Sequence, residues 1–407
     1  MKKVTFIHAA DLHLDSGMAG LRHLPQPIFS KLRESTFESL SSIVDAAIIH
    51  NVDFVVLAGD LFDAEDRSIR AQIIFIKEME RLAEKGISVF AVHGNHDHME
   101  GSWVHLPLPN NVHLFSNQVE TVEFLIESQT SVHLYGFSYH SRHVYERMIQ
   151  HYKKRDGADF DIGILHGQLE GESEHGTYAP FTISELADKN FDYWALGHIH
   201  KRNVLQNEPP IVYPGNTQGR HVKETGDKGC YLVQLSEKGA EMTFIKTAPV
   251  VWSERELNCE EAASFQEIYS KCLDLLDEEK MNGQAKILTL TLQNTDLPSK
   301  DAAAIREGEL LELLQEHEAE GEDGFIWIAD LLVNERKKWN KEKLMSESAF
   351  FAEMFHAADD LEGIGMSLEL LYKHPEARRF LQKKSEDELD SISKEAENLL
   401  MQLLYQS

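Results

Sequence analysis

Short apolar runs rich in β-branched residues recur along the first 250 residues, and most stop at a polar cluster of Asp, His, Asn and Gly. The runs are Val4 to His8, Phe54 to Ala58, Ile87 to Val92, Val132 to Phe137, Ile162 to Leu165, Tyr193 to Leu196, Ile211 to Tyr213, and Cys230 to Leu235 with Thr243 to Ile245. Apolar runs of that length between turn residues read as buried strands. Between the early ones, Leu32, Phe37, Leu40, Ile43, Val44, Ala47 and Ile48, then Ile69, Ile73, Ile76, Met79 and Leu82, keep helical spacing. Strand alternating with helix predicts an α/β layered core. The later strands come with fewer helices, which predicts a second sheet packed on the first.

The texture changes beyond Pro249. Strands at Val250 to Leu257, Ile287 to Leu292 and Phe325 to Val333, with helices at Glu260 to Glu279 and Lys300 to His317, predict a small α+β domain over 251–333 after a first domain over 1–250. From 334 to 407 the chain reads as helical and acidic. There Phe350, Phe351, Met354 and Phe355 form one apolar stripe, and Leu389, Ile392, Ala396, Leu399 and Leu403 alternate three- and four-residue spacing. Two heptads are too few for a coiled coil, so these surfaces serve either the chain's own core or a partner helix.

Charge narrows the partners. The formal net charge is −28; residues 1–250 carry 23 basic and 33 acidic residues, and the remainder 17 and 35. Phosphate affinity rests mainly on Lys and Arg, so this charge argues against tight nonspecific DNA binding by the chain alone, and a nucleic-acid role requires metal ions or a basic partner. No stretch approaches the roughly 20 apolar residues of a membrane span, and Asp11 and Asp15 interrupt any secretory segment. A cytoplasmic protein is the expectation. Cys230, Cys259 and Cys272 lack metal-binding spacing and read as buried small hydrophobes.

Histidine is distributed in the opposite sense, with 18 of 21 in residues 1–250. The clusters ending the strands are Asp11-Leu12-His13, Gly59-Asp60-Leu61-Phe62-Asp63, Gly94-Asn95-His96-Asp97, His166-Gly167 and Gly197-His198-Ile199-His200. Composition alone predicts Gly-Asn-His-Asp only about 0.003 times in a chain of this length. Such clusters at the carboxyl ends of strands predict one convergent site. Two neighbouring divalent cations need a carboxylate able to bridge them, and Asp60 is the candidate. Asp11, His13 and His200 complete one cation site, while Asn95, His166 and His198 complete the other. Oxygen with imidazole and no thiolate fits Mn, Fe or Zn better than Ca or Mg. His96, beside a ligand but unassigned to a metal, is placed to stabilise the phosphoryl group or protonate the leaving oxygen.

These motifs, complete and in order, resemble the calcineurin-like metallophosphoesterases, whose pattern is D-x-H, G-D-x-x-D, G-N-H-D or G-N-H-E, a lone His and G-H-x-H. Tyr213-Pro214-Gly215-Asn216-Thr217-Gln218, then Glu224 and Lys228-Gly229, resemble the DNA-repair nuclease branch of the SbcD subunit type; length and tail are similar to YhaO-like proteins of Firmicutes. The resemblance implies a metallophosphoesterase β-sandwich flanked by helices, with 251–333 as a capping domain and 334–407 docking on an SbcC-like ATPase. It implies a Mn-dependent exo- or endonuclease in DNA repair; the charge predicts that the chain alone binds DNA weakly, and a second copy of the chain is a further candidate partner. One position departs, since Asp63 stands where SbcD-type nucleases carry His. Asp is usual there in the wider family, and in its phosphatases it orients the residue matching His96. The alternatives are a phosphatase or cyclic-nucleotide phosphodiesterase, and a non-catalytic metal-binding scaffold. The histidines at 8, 93, 98, 105 and 140 carry no motif role and read as packing or solvated.

Overall fold

In the computed structural model the unalternating apolar runs become the inner strands of two sheets. Residues 2–18, 21, 24–63, 67–101, 103–126, 129–171, 178–281, 283–318, 324–336, 341–374 and 384–405 are described, without the side chains of 362, 386, 387, 398, 402, 403 and 405. They form two units, Met1–Asn334 and Glu335–Ser407.

The first sheet uses β1 (Lys3–Ala9), β2 (Phe54–Ala58), β3 (Ser88–Val92) and β4 (Val112–Leu114), all parallel, with a β11–β12 hairpin (Gly229–Ser236, Gly239–Lys246) added antiparallel beside β1. The second is ordered β5 (Glu120–Leu125), β6 (Ser131–Gly136), β7 (Phe160–His166), β8 (Tyr193–Gly197), β10 (Pro210–Tyr213) and β9 (Asn203–Asn207), with β6, β7, β8 and β10 parallel. Side chains alternate across a strand, which sends Phe6, Phe54, Val56 and Phe90 into a layer shared with Val132, Leu134, Ile162, Ile164 and Tyr193. Phe54 is fully buried there, and truncation to Ala would cost about 3–5 kcal/mol. The opposite face of the first sheet, Ile7, Val55, Leu57 and Val89, packs on α1 (Gln26–Ile49) and α2 (Ile69–Ala83) through Leu40, Val44, Phe75 and Met79. A short α3 (Ile183–Ala187), started by a Thr182–Glu185 capping box, precedes β8.

The sequence reading omits β4, β5 and β9. All three are half-exposed, and β4, β5 and β9 end their sheets, so none shows a buried apolar run.

The segment after Pro249 forms a three-stranded sheet, β13 (Val250–Asn258), β14 (Ala285–Thr295) and β15 (Ile326–Glu335), covered by α4 (Phe265–Lys280), α5 (Ser299–Arg306) and α6 (Glu309–Glu318). The single helix expected from Lys300 to His317 breaks at Gly308, whose φ of +95° is left-handed. Val250, Trp252, Ile287, Phe325 and Trp327 pack on Ile28 and Leu32 of α1, within the same unit as the first 250 residues.

Residues beyond Asn334 form α7 (Lys341–Glu347), α8 (Ala349–Asp359), α9 (Leu361–Lys373) and α10 (Glu386–Tyr405) around Leu344, Phe355 and Met401. Of the Phe350–Phe355 stripe, Phe355 is core, Phe351 and Met354 are half-buried and Phe350 is exposed. Of the α10 repeat, Ile392 and Leu399 are exposed, and the side chain of Leu403 lies outside the described ones. Among the described residues no helix is long and apolar enough to cross a membrane.

Candidate metal centre

Parallel strands end on one edge, and here the register makes those ends level. Ala9 pairs with Leu57 and Ala58 with Val92 in the first sheet, and His166 with Gly197 in the second. The loops leaving those ends therefore meet. Asp11, His13, Asp60 and His198 have φ of 53°, 43°, 50° and 102°; left-handed non-glycine residues are costly and cluster at functional sites. Small residues let the loops close. A Cβ on Gly94 would lie 2.2 Å from Asp60 Oδ1 and 2.6 Å from His166 Nε2, and one on Gly197 would lie 1.8 Å from the Ala58 carbonyl of the facing sheet.

All seven proposed ligands converge. Asp11, His13, Asp60, Asn95 and His166 are buried, while His198 and His200 are half-buried. Hydrogen-bond partners select the ring tautomers. His166 Nδ1 lies 3.0 Å from the Ala58 carbonyl and donates to it, with Nε2 3.1 Å from Asn95 Oδ1 and 3.5 Å from Asp60 Oδ2. His198 Nδ1 is also 3.1 Å from Asn95 Oδ1. His200 Nδ1 donates to Glu224 Oε1 at 2.6 Å, His13 Nδ1 lies 3.1 Å from Asp63 Oδ1, and the two Nε2 atoms are 3.0 Å apart. This convergence of imidazole nitrogens and carboxylate oxygens fits cations. Three triads of candidate ligand atoms lie within 4.8 Å of one another: Asp11, His13 and His200; His13, Asp60 and His96; Asp11, Asp60 and His166. Asp11, His13 and Asp60 each belong to two of them.

The charge states divide the candidate ligands. Burial, helped by the Arg220 charge, holds His13 down to about 4, and burial with the His166 charge holds His198 down to about 3. Both stay neutral, as ligation requires. Burial would lower His166 too, but the Asp60 and Asp11 carboxylates outweigh it and raise it to about 9. Burial opposes ionisation of Asp60, yet His166, His13 and His96 hold it well below the usual range. Burial raises Asp11 despite His200 and His166.

His96 is one-third exposed beside this cluster. Its amide donates to Asp60 Oδ1 at 2.9 Å, and its Nδ1 donates to the Asp63 main-chain carbonyl at 3.1 Å, which leaves Nε2 as the ring nitrogen free to act on a substrate. The Asp63 carboxylate is 3.8 Å from His96 but 3.1 Å from His13, and it pairs with Arg220 Nη1. The expected carboxylate contact with His96 is thus present at ion-pair distance, and the hydrogen bond is made by the main chain.

Three positioning groups escaped the sequence reading. Asp97 accepts from Gly94 N at 2.7 Å and Leu61 N at 3.0 Å, tying together the loops of Asn95 and Asp60, and His93 Nδ1 donates to it at 3.0 Å. Glu224, noted only as part of the resemblance, takes His200, Asn216 Nδ2 at 2.9 Å and Arg220 N at 2.7 Å. Arg220 holds Asp63. Only the Asp97 role had a local signal, being inside the G-N-H-D motif.

A family model described as calcineurin-like phosphoesterase matches residues 4–202. The chain is 42% identical over 407 residues to the uncharacterized metallophosphoesterase YhaO of Bacillus subtilis (strain 168), covering 98% of each. Two archaeal proteins named DNA double-strand break repair protein Mre11 are more distant. That of Sulfurisphaera tokodaii is 27% identical over 252 residues, 58% of this chain and 61% of its own length. That of Methanocaldococcus jannaschii is 25% identical over 288 residues, 65% and 72% respectively. Among solved structures, a dimetal phosphatase from Danio rerio aligns over 60% of this chain and 99% of its own, at 14% identity and a TM-score of 0.36.

Proposed function

The chain belongs to the calcineurin-like metallophosphoesterases and is a metal-dependent hydrolase, and from that premise we propose that it cleaves phosphodiesters in DNA at a dinuclear centre, as the exo- or endonuclease subunit of a cytoplasmic ATPase complex in DNA repair. The observation that carries the reading is Asp60, buried, whose Oδ2 lies 3.7 Å from His13 Nε2 after the first sheet's β1 and 3.5 Å from His166 Nε2 at the end of the second sheet's β7. Asp11, His13 and His200 hold one cation with Asp60, and Asn95, His166 and His198 hold the other. Oxygen and imidazole donors without thiolate favour Mn, with Fe and Zn next. When bound, such a pair acidifies a water and neutralises charge on the phosphoryl oxygens. His96, oriented through Nδ1, presents Nε2 to the phosphoryl group or leaving oxygen and moves the proton there. Asp63 orients His13 and sets Arg220 beside the site.

The DNA assignment draws on the archaeal relatives' printed names and on the motifs after Tyr213. A net charge of −28 repels a polyanion, so an SbcC-like ATPase completes the DNA groove and binds through residues 334–407, while 251–333 caps the site. The departure at Asp63 favours a second reading, a phosphatase or cyclic-nucleotide phosphodiesterase.

Hydrolysis of a bis-aryl phosphodiester is measured with and without Mn, for the native chain and Asp60→Asn, beside an aryl monoester. The expected result is Mn-dependent diester turnover that Asp60→Asn abolishes. Equal rates in all four diester reactions refute the metal chemistry, and preference for the monoester favours the second reading. Truncation after about residue 335 should keep small-diester turnover and lose co-purification with an SbcC-like ATPase; retained co-purification moves the docking surface elsewhere.

A further inference from the structure

The loop after β10 supports the metal site, and β13 holds that loop in turn. Glu224 accepts from His200 Nδ1 through Oε1, and its other oxygen accepts from Asn216 Nδ2 and from the Arg220 amide. That amide shares one planar trans peptide group with the Gly219 carbonyl, so the N–H and the C=O point to opposite sides. On the side away from Glu224, the Gly219 oxygen accepts from the Trp252 indole Nε1 at 3.0 Å and from Gln218 Nε2 at 2.9 Å. Gln218 Nε2 also donates to the Val250 carbonyl at 2.7 Å, and the Trp252 carbonyl accepts from Gly226 N at 2.9 Å. Both ends of residues 218–226 are therefore tied to the start of β13, and Trp252 takes part at each end.

Trp252 is itself fixed. It is 2% exposed, and it lies in the apolar layer where Val250, Ile287, Phe325 and Trp327 meet Ile28 and Leu32 of α1. The loop backbone rests directly on the indole, since a Cβ on Gly219 would lie 2.7 Å from Trp252 Cδ1. Trp327 supplies the contrast. It occupies the same layer, yet among the described residues its buried Nε1 has no partner. One tryptophan of the layer thus packs, and the other packs and also bonds to the loop.

We propose that Trp252 is a positioning residue of the metal centre: through the Gly219–Arg220 peptide it fixes the Glu224 carboxylate that orients His200, so the β13–β15 sheet and the cation held by Asp11, His13 and His200 stabilise each other. This rests on the dinuclear reading given above. Coupling between two sites is reciprocal. Displacing the sheet loosens that cation, and loading the cation steadies β13. The second cation is untouched, because His166 takes its orientation from the Ala58 carbonyl.

The test compares the full chain with Trp252→Phe and with Trp327→Phe, which removes an indole from the same layer but no bond to the loop. Trp252→Tyr, also without the indole N–H, serves if Trp252→Phe fails to fold. Hydrogen exchange in the metal-free chains reads the loop: amides of residues 216–226 should exchange about two- to tenfold faster in Trp252→Phe, the fold-change of one lost hydrogen bond, and at the native rate in Trp327→Phe. Manganese titration by calorimetry reads the centre. In Trp252→Phe one of the two ions should weaken by about two- to tenfold, at or below the loss from removing a partner that touches the ligand itself, while Trp327→Phe keeps both. Native exchange in the loop of Trp252→Phe overturns the proposal. So does equal acceleration in Trp327→Phe, which reduces Trp252 to packing, and so does faster exchange with both ions at native affinity or with both equally weakened. A native chain that takes up fewer than two manganese ions fails the dinuclear reading instead, and the metal-free exchange comparison still decides whether Trp252 holds the loop.

Discussion

Glu224→Gln perturbs the metal centre without altering volume. Glu224 is buried, and its two oxygens serve three donors: His200 Nδ1 at 2.6 Å on one side, Asn216 Nδ2 at 2.9 Å and Arg220 N at 2.7 Å on the other. Burial works against its charge, but His200 and Arg220 hold it far below the usual glutamate range, so it is ionised throughout neutral pH. Glutamine has one acceptor and one donor end, and neither orientation satisfies this environment. With its oxygen toward His200, its amide meets the Asn216 and Arg220 donors head on. Turned over, its amide forces His200 Nδ1 to accept, which puts the ring proton on Nε2 where a cation needs a lone pair. Loss of such a supporting partner lowers metal affinity about 10- to 100-fold, or ~1.4–2.8 kcal/mol. Because His166 takes its orientation from the Ala58 carbonyl instead, the loss should fall on the cation held by Asp11, His13 and His200. Manganese titration by calorimetry should resolve two ions per native chain, with only one retained at native affinity in the variant. Two ions at native affinity, or equal weakening of both, would refute the reasoning.

Three further outcomes follow from the same geometry. His96→Gln should keep both metals and lose turnover by about 10² to 10⁴, the size of a general-acid contribution; Asp63→Asn should lose less, and an unchanged rate at normal metal content would remove its positioning role. Gly94→Ala should abolish metal binding and destabilise the chain by about 1–3 kcal/mol, since its Cβ overlaps Asp60 and His166, whereas Gly17→Ala, with nothing within 4 Å, should leave both unchanged; metal analysis and urea unfolding check both. Burial pushes His8 down to about 3 despite its hydrogen bond to Leu196. The unfolded chain therefore binds a proton below about 6.5 that the folded chain refuses, and stability falls by up to ~1.4 kcal/mol per pH unit from there toward 3. His8→Gln should flatten that slope by up to one proton in unfolding free energies measured between pH 6.5 and 4; an unchanged slope would show that His8 already carries its proton in the fold.

The strands that carry the ligands were legible because both faces of each are covered, so Val4 to His8 or Phe54 to Ala58 shows as an unbroken apolar run whatever packs on it. The ligands were legible because each sits one to five residues past such a run, and parallel strands bring those positions to one edge. Edge strands such as β5 left no comparable pattern. Nor did sequence separate the two oxygen types of Asp63, whose carbonyl meets His96 while its carboxylate meets His13 and Arg220; that depends on a left-handed loop and on an arginine 157 positions away. His93 read as packing and became the link between Arg67 and Asp97, and Glu224 acquired a role only when the loop after β10 folded back onto His200. Local periodicity and residue chemistry thus determined the layers and the ligand set. Tautomers, charge states and the pairing of distant polar side chains were decided by tertiary structure, because each depends on which groups lie within about 3 Å of one another after water has been excluded.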